Sequence, residues 1–376
     1  MRLIKEKLGK YIERVENRNT DLKYGINDVR GISNSKQIQQ TKADISDRNF
    51  DKFQIVGNKN FVFNRRTTRM GEKIGLGFNN TGEEFIVTED YVVFKVSDIE
   101  VILPEYLFIF FNRPEFDRYS RWDSWGSATE FFNWGEMCDV SITIPPLPIQ
   151  QKYVDVYNAM LANQQCYERG LEDLKLVCDA YIEDLRRNMP CKKIKTYLSE
   201  VDERNDGNKV KLARGVDINM QFIEPKRVAE DFEKGKIVQH RQFAYNKVMK
   251  ANGTKLPLAL RDGEDCVISG SYQVFQINDE NELYPEYLML WLSRPETQRY
   301  LGFNSWGSTR DVVSFDEIGD ITIPIPDIEH QKSAANIYIV YISRKQINER
   351  LKAQIKDICP ILIKGSIEEA EKLKEA

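Results

Sequence analysis

Two stretches of this chain concentrate side chains that could do chemistry, and both are basic. Residues 52–73 carry Lys52, Lys59, Arg65, Arg66, Arg69 and Lys73 against a single acid, Glu72. Residues 234–255 carry Lys234, Lys236, Arg241, Lys247, Lys250 and Lys255 with no acid at all. The chain as a whole has a net charge of −4. That balance argues against wholesale coating of a polyanion, but binding depends on where cations lie rather than on their sum. Each island therefore reads as a surface for phosphate, with the arginines and asparagines beside it able to reach base edges. The expected DNA contacts are Asn64, Arg65, Arg66, Arg69 and Lys73 in the first, and His240, Arg241, Asn246, Lys247, Lys250 and Lys255 in the second. The alternative is a solvated strand-and-loop face. Two Ser-Trp-Gly-Ser loops, Ser124–Ser127 and Ser305–Ser308, lead into Thr129 and Arg310. Glycine and small hydroxyls beside an indole make a tight turn that a ligand can approach closely. Ser127, Thr129, Ser308, Thr309 and Arg310 are therefore further candidates, while Trp125 and Trp306 have the alternative role of plugging a core.

Catalytic constellations are absent. Gly71-x-x-x-Gly75-x-Gly77 lies in a basic loop with no helix signal after it and reads as a hairpin turn rather than a nucleotide cradle. There is no G-x-x-x-x-G-K-[ST] segment, no Asn-Pro-Pro-Tyr-like segment, and no nucleophile motif beside His240 or His330, the only two histidines. Six scattered cysteines without a C-x-x-C pair suit reduced thiols in a cytoplasm, and no metal site is expected. No apolar run reaches membrane-spanning length, and the charged first residues do not form a signal peptide. The composition, 41% hydrophobic and 30% charged, is that of a soluble globular protein.

The elements that must position these residues are written twice. LPEYLFIFFNRPEFDRYSRWDSWGS (103–127) and YPEYLMLWLSRPETQRYLGFNSWGS (284–308) are identical at 13 of 25 positions, at an offset of 181. The basic islands match at 182 through Phe61–Asn64 and Phe243–Asn246, so the duplication occupies essentially the whole chain. Each half begins with a mixed segment containing strand-like runs such as Phe61–Phe63, Tyr91–Val96 and Val140–Ile144. Pro104 and Pro285 sit at expected helix starts. Asn133…Glu136 and Ser314…Glu317 have capping-box spacing, which predicts a short helix before the last strand.

A long helical run closes each half. Tyr157, Met160, Gln164, Tyr167, Leu171, Leu174, Cys178, Tyr181 and Leu185 step by three and four without a break. Shifted by 180, the same steps give Ile337, Val340, Arg344, Ile347, Leu351, Gln354 and Ile358. These seams either pack on their own domains or pair with each other as an antiparallel coiled coil. At ~1.5 Å per residue, ~39 residues would make a rod roughly 55–60 Å long. Pro360 is expected to end the second run, leaving Ser366–Ala376 as a frayed tail.

This pattern resembles the specificity subunit of type I restriction–modification systems. The residues that carry the resemblance are SITIPPLPIQQK (141–152) and ITIPIPDIEHQK (321–332), preceded by GSATEFFNWGEMCD (126–139) and GSTRDVVSFDEIGD (307–320). The usual acid before glutamine is Gln150 in the first copy and His330 in the second, a departure from the family pattern. The resemblance implies an α+β fold: two pseudo-symmetric target recognition domains (1–148 and 190–328) joined and spaced by two long antiparallel coiled-coil helices (149–189, and 329–376 with its tail). Helix pairing would fall to Tyr157, Met160, Tyr167, Leu171, Leu174, Tyr181, Leu185, Ile337, Val340, Ile347, Leu351 and Ile358. It further implies a non-catalytic, cytoplasmic DNA reader of a bipartite, asymmetric site, without a cofactor of its own. Methyltransferase subunits using S-adenosylmethionine, and restriction subunits using ATP and Mg²⁺, would be its partners. A coiled-coil scaffold with duplicated protein-binding domains is the alternative; an autonomous nuclease or methylase conflicts with the missing motifs.

Overall fold

The computed structural model describes the chain except residues 1–2, 42–43, 46, 68–72, 127–129, 226–231, 250–254, 306–310 and 376. It divides into two compact units, residues 1–167 with 348–376, and residues 168–347, so each long helix is shared between them.

In the first unit, strands β1 (Ile4–Lys7), β2 (Ile12–Val15), β3 (Arg30–Ile32), β4 (Ile38–Gln40), β5 (Gln54–Val56), β6 (Phe61–Asn64), β7 (Leu76–Phe78), β8 (Phe85–Val87) and β9 (Tyr91–Val96) come first. Helices α1 (Pro104–Phe111), α2 (Pro114–Trp122) and α3 (Trp134–Asp139) follow, then β10 (Ser141–Ile144) and the long helix α4 (Leu147–Asn188). The central sheet has the order β2-β9-β6-β7, with β3–β4, β5–β8 and β1–β10 as antiparallel pairs around it. The second unit repeats this order in β11 (Cys191–Lys193), β12 (Leu198–Val201), β13 (Gly215–Val216), β14 (Phe222–Ile223), β15 (Lys236–Val238), β16 (Phe243–Asn246), β17 (Leu258–Leu260), β18 (Cys266–Ile268) and β19 (Tyr272–Ile277). Helices α5 (Pro285–Leu292), α6 (Pro295–Asn304) and α7 (Phe315–Gly319), strand β20 (Thr322–Pro324) and helix α8 (Ile328–Glu375) complete it. Its central sheet is β12-β19-β16-β17, the same topology.

The central strands are apolar on both faces because each face has its own core. Phe61 and Phe63 join Phe94, Tyr106 and Phe111 on the helix side, while Val62 points to Val56, Phe85 and Val87. In the second unit Phe243 and Tyr245 face the helices, and Ala244 faces Val238 and Ile268. The stacked rings Phe61–Phe94 and Phe243–Phe275 lie 4.9 and 4.8 Å apart at paired positions of the two sheets. Local signals hold at the helix starts. Pro104 and Pro285 occupy the first turns of α1 and α5, and the Glu136 carboxylate accepts from the Asn133 amide at 2.8 Å. The Ser314 hydroxyl accepts from the Glu317 amide at 3.2 Å. β6 and β7 pair antiparallel, so Gly75 and Gly77 belong to a hairpin.

The entry of each long helix is fixed by one buried glutamine. Gln150 Nε2 donates to the carbonyls of Val101 (2.8 Å) and Pro145 (2.7 Å), and its Oε1 accepts from the Leu103 amide (2.9 Å). Gln331 does the same with Glu282 (2.9 Å), Pro326 (2.8 Å) and the Tyr284 amide (2.8 Å). Gln150 therefore corresponds to Gln331, not to His330, and the residues before the two glutamines are Ile149 and His330, so neither copy carries an acid there. Gln150→Leu or Gln331→Leu orphans three backbone groups that α1, α5 and the Pro-rich turns depend on. At about 1–3 kcal/mol per orphaned buried group, either variant should unfold at clearly lower urea than the parent chain. An unchanged midpoint would contradict this bonding.

The same one-residue correction applies along the second helix. At an offset of 181, Val154, Tyr157, Leu174, Cys178 and Ile182 map onto Ala335, Tyr338, Ile355, Cys359 and Ile363, all of which pack into a core. The seam expected at 180 is turned by about 100°, the rotation per helical residue. Val340 and Ile347 are accordingly 45% and 38% exposed, and Ile337, Leu351 and Ile358 flank the buried stripe. On α4, Tyr157 and Leu185 are buried, whereas Met160, Tyr167, Leu171, Leu174 and Tyr181 are half-buried.

Within each unit the helices pack both on the domain and on each other. In the first unit Lys152 pairs with Glu369 (2.8 Å) and Gln164 Nε2 donates to Asn348 (2.9 Å), an antiparallel arrangement. In the second unit Cys178, Ile182 and Leu185 share a core with Ala334, Ala335 and Tyr338. Helix α8 does not stop at Pro360, and its end is not frayed. Cys359, Leu362, Ile363 and Ser366 are buried around the proline, and Tyr106 hydrogen-bonds Ser366 at 2.7 Å. Burying side chains of that size at about 1.5–3 kcal/mol each outweighs the ~3 kcal/mol that an interior proline costs.

Candidate nucleic-acid interface

The two basic islands each contain a strand, β6 or β16, and the strand separates what lies before it from what lies after it. At the far end, Asn64 Oδ1 accepts from the Arg66 amide at 3.0 Å, and Asn246 Oδ1 accepts from the Val248 amide at 3.1 Å. Both asparagines thus turn the chain out of the sheet, and their carboxamide oxygens are engaged there rather than free for base edges. The next residues are tied to the segment that follows the Ser-Trp-Gly-Ser loop. The Phe132 amide donates to Arg65 O (2.9 Å) and the Thr67 amide to Glu130 O (3.1 Å). In the second unit the Val313 amide donates to Lys247 O (2.8 Å) and the Met249 amide to Asp311 O (2.9 Å). Strand end, loop base and the C-terminal end of α2 or α6 therefore form one surface, built identically in each unit.

Arg65, Lys73, Lys247 and Lys255 lie on this side of their strands and make no ion pair with a described carboxylate. Among the described residues Arg65 Nε donates to the Asp90 carbonyl (3.3 Å), whereas Arg66 pairs with the Asp90 carboxylate (3.2 Å). Lys73 stands beside Lys356, whose pKa it lowers. Arg69, Ser127, Thr129, Lys250, Ser308, Thr309 and Arg310 lie outside the described residues.

The island members at the other end of the strands do not join this surface. A four-residue strand, roughly 13 Å long, separates them. Lys59 pairs with Glu105, and Arg241 is gripped by Glu280 (2.8 Å) and by Glu286 through two nitrogens (2.8 and 3.1 Å). Both adopt positive φ, +60° and +67°, at the tight turn into the strand. His240 is exposed; its ring Nδ1 accepts from the Gly263 amide at 3.4 Å. Arg241 is therefore a turn residue whose guanidinium is already neutralised by two carboxylates, while His240 beside it keeps an exposed ring. Lys236 is likewise buried against Asp202 (2.9 Å).

Trp125 is 72% exposed, so it plugs no core. Its backbone pairs with Phe131, which in turn pairs with Arg66. Two residues that the sequence reading missed stand on the same surface: Trp122, 78% exposed at the end of α2, and Phe303, 87% exposed near the end of α6. Their signal was available, since they occupy one position at the common offset of 181.

Burial pushes the Cys266 thiol up to about 11 and the Cys359 thiol up to about 12, away from nucleophilic range. Among the described residues no group of three His, Cys, Asp or Glu could hold a metal ion. Among them also, no helix is long and apolar enough to cross a membrane.

The family model of the type I restriction modification DNA specificity domain matches twice, over residues 9–166 and 190–357. The type I restriction enzyme HindI specificity subunit of Haemophilus influenzae is 25% identical over 132 residues, 35% of this chain and 28% of that relative's length. The crystal structure of the type I restriction-modification system S subunit from M. genitalium superposes with a TM-score of 0.62 at 10% identity, covering 97% of this chain and 96% of that one. That likeness concerns the fold.

Proposed function

This chain belongs to the type I restriction–modification DNA specificity family, and from that premise we propose that it is the non-catalytic, sequence-reading subunit of a methylating complex. Each unit reads one part of a bipartite, asymmetric duplex site. The long helices serve as spacer and as dock for methyltransferase subunits. Those partners would bring S-adenosylmethionine for adenine methylation, and a restriction subunit using ATP and Mg²⁺ can join them. The observation that carries this reading is the repetition, at one offset, of a strand end knitted to a loop and bearing cations (Arg65, Lys73, Lys247, Lys255) that make no ion pair with a described carboxylate. Two copies of one recognition surface suit two stretches of one duplex, and the absence of a catalytic motif leaves the chemistry to partners.

Salt dependence tests the assignment of the cations. Binding of the full chain, with its methyltransferase subunits, to duplex DNA should weaken by orders of magnitude between 50 and 200 mM salt if about six or more phosphates are contacted. Changing Arg65, Arg66 and Arg69 together to alanine should flatten the log–log slope by up to about two, because Arg66 is already paired with Asp90. Lys247, Lys250 and Lys255 should behave alike. Arg241→Ala should leave the slope unchanged, because its charge is already neutralised. Unaltered slopes in both triple variants would refute the surface.

A further inference from the structure

We propose that Trp122 and Phe303 are matched base-contacting side chains, one per unit, that stack on or wedge against the bases of the bound duplex. The inference rests on the DNA-reading function above and adds residues and a mode of contact to it. Both side chains sit in the last turn of the second short helix of their unit, 181 residues apart, and are 78% and 87% exposed. The residue type differs, indole in one copy and phenyl in the other, while aromaticity and exposure persist. A side chain kept for packing would be buried, as Phe116 and Leu301 of the same helices are. A side chain free to drift would be expected to become polar on a surface where apolar exposure invites association.

The surroundings say what covers these rings. Trp122 leads into Trp125, 72% exposed, whose backbone is one bridge removed from Arg66 and adjacent to Arg65. Phe303 follows Gly302, where an added Cβ would lie 3.5 Å from the end of Met249, two residues from Lys247. Each copy therefore sets a largely exposed aromatic side chain on the same surface as a cation that makes no ion pair with a described carboxylate. A nucleic acid offers the complement, flat apolar bases inside an anionic backbone. Aromatic side chains use it by stacking on bases or by inserting at base steps. Neither contact needs a particular hydrogen-bond pattern, which accounts for the tolerance of tryptophan in one copy and phenylalanine in the other.

The test uses the full chain assembled with its methyltransferase subunits, and as probe a 40-bp duplex recovered by selection on the parent complex from a random-sequence library. Trp122→Ala and Phe303→Ala should each weaken binding by about 5- to 150-fold, the range for losing one base–aromatic stack, without changing the salt slope. Phe303→Trp should keep parental affinity, and its added emission should be quenched by the duplex. Because both side chains are exposed, the melting temperature should not move. Parental affinity in both alanine variants would overturn the inference. So would weakened assembly with the methyltransferase at unchanged duplex affinity, which would assign the rings to a protein partner. A parent complex that bound no duplex in a salt-dependent way would instead overturn the DNA-reading function itself.

Discussion

Changing Lys36 alone to methionine is expected to destabilise the first unit by about 3–5 kcal/mol, while changing Lys36 and Asp117 together, to methionine and glutamine, should restore most of that loss. Lys36 Nζ lies 2.5 Å from Asp117 Oδ1, and the two side chains are only 4% and 7% exposed. Burial pushes the Lys36 ammonium below the ordinary lysine range, and the neighbouring carboxylate opposes that shift. Removing the cation leaves a buried carboxylate whose remaining described contact is the Ile74 amide at 3.4 Å. The second unit solves the same position without charge. Its corresponding hairpin carries Met220, also at φ +62°, and Gln298 stands where Asp117 does. Gln298 accepts from the Leu256 amide (2.6 Å) and donates to the Leu292 carbonyl (2.7 Å). A glutamine at 117 can reach the Phe111 carbonyl in the same way. Urea unfolding of the two variants checks this, and a K36M chain as stable as the parent would show that the pair contributes nothing.

What could be read from the sequence was local or repeated. Pro104, Pro285 and the Glu136 and Glu317 capping residues act within one turn, so their spacing suffices. The duplication was visible because identical short motifs recur at one interval. The seam of α8 was misplaced by one residue because its buried face carries Ala334, Ala335, Asn348 and Ser366, which give little hydrophobic signal. The flanking Ile337, Val340 and Ile347 give a strong one. Small residues are buried there because neighbouring elements come close, and that is a tertiary fact. Charge state was illegible for the same reason. Arg241 looks like a free cation until Glu280 and Glu286, 39 and 45 residues away, fold over it. The Lys36–Asp117 pair joins residues 81 apart. Trp122 and Phe303 give no signal in the sequence beyond their shared position, and only the fold shows that they are 78% and 87% exposed.

The largest expected effect is all-or-none, and it bears directly on whether this chain directs where a partner acts. The purified chain with S-adenosylmethionine, ATP and Mg²⁺ should neither methylate nor cleave DNA. Methylation should require the methyltransferase subunit, and its position should be set by this chain. The decisive measurement is a genome-wide map of methylated adenines in cells that carry the methyltransferase subunit, with and without this chain. The expected result is a split, asymmetric motif, two specified blocks separated by unspecified bases, methylated only when the chain is present. The same adenines methylated in both cells, or a single uninterrupted motif, would contradict it.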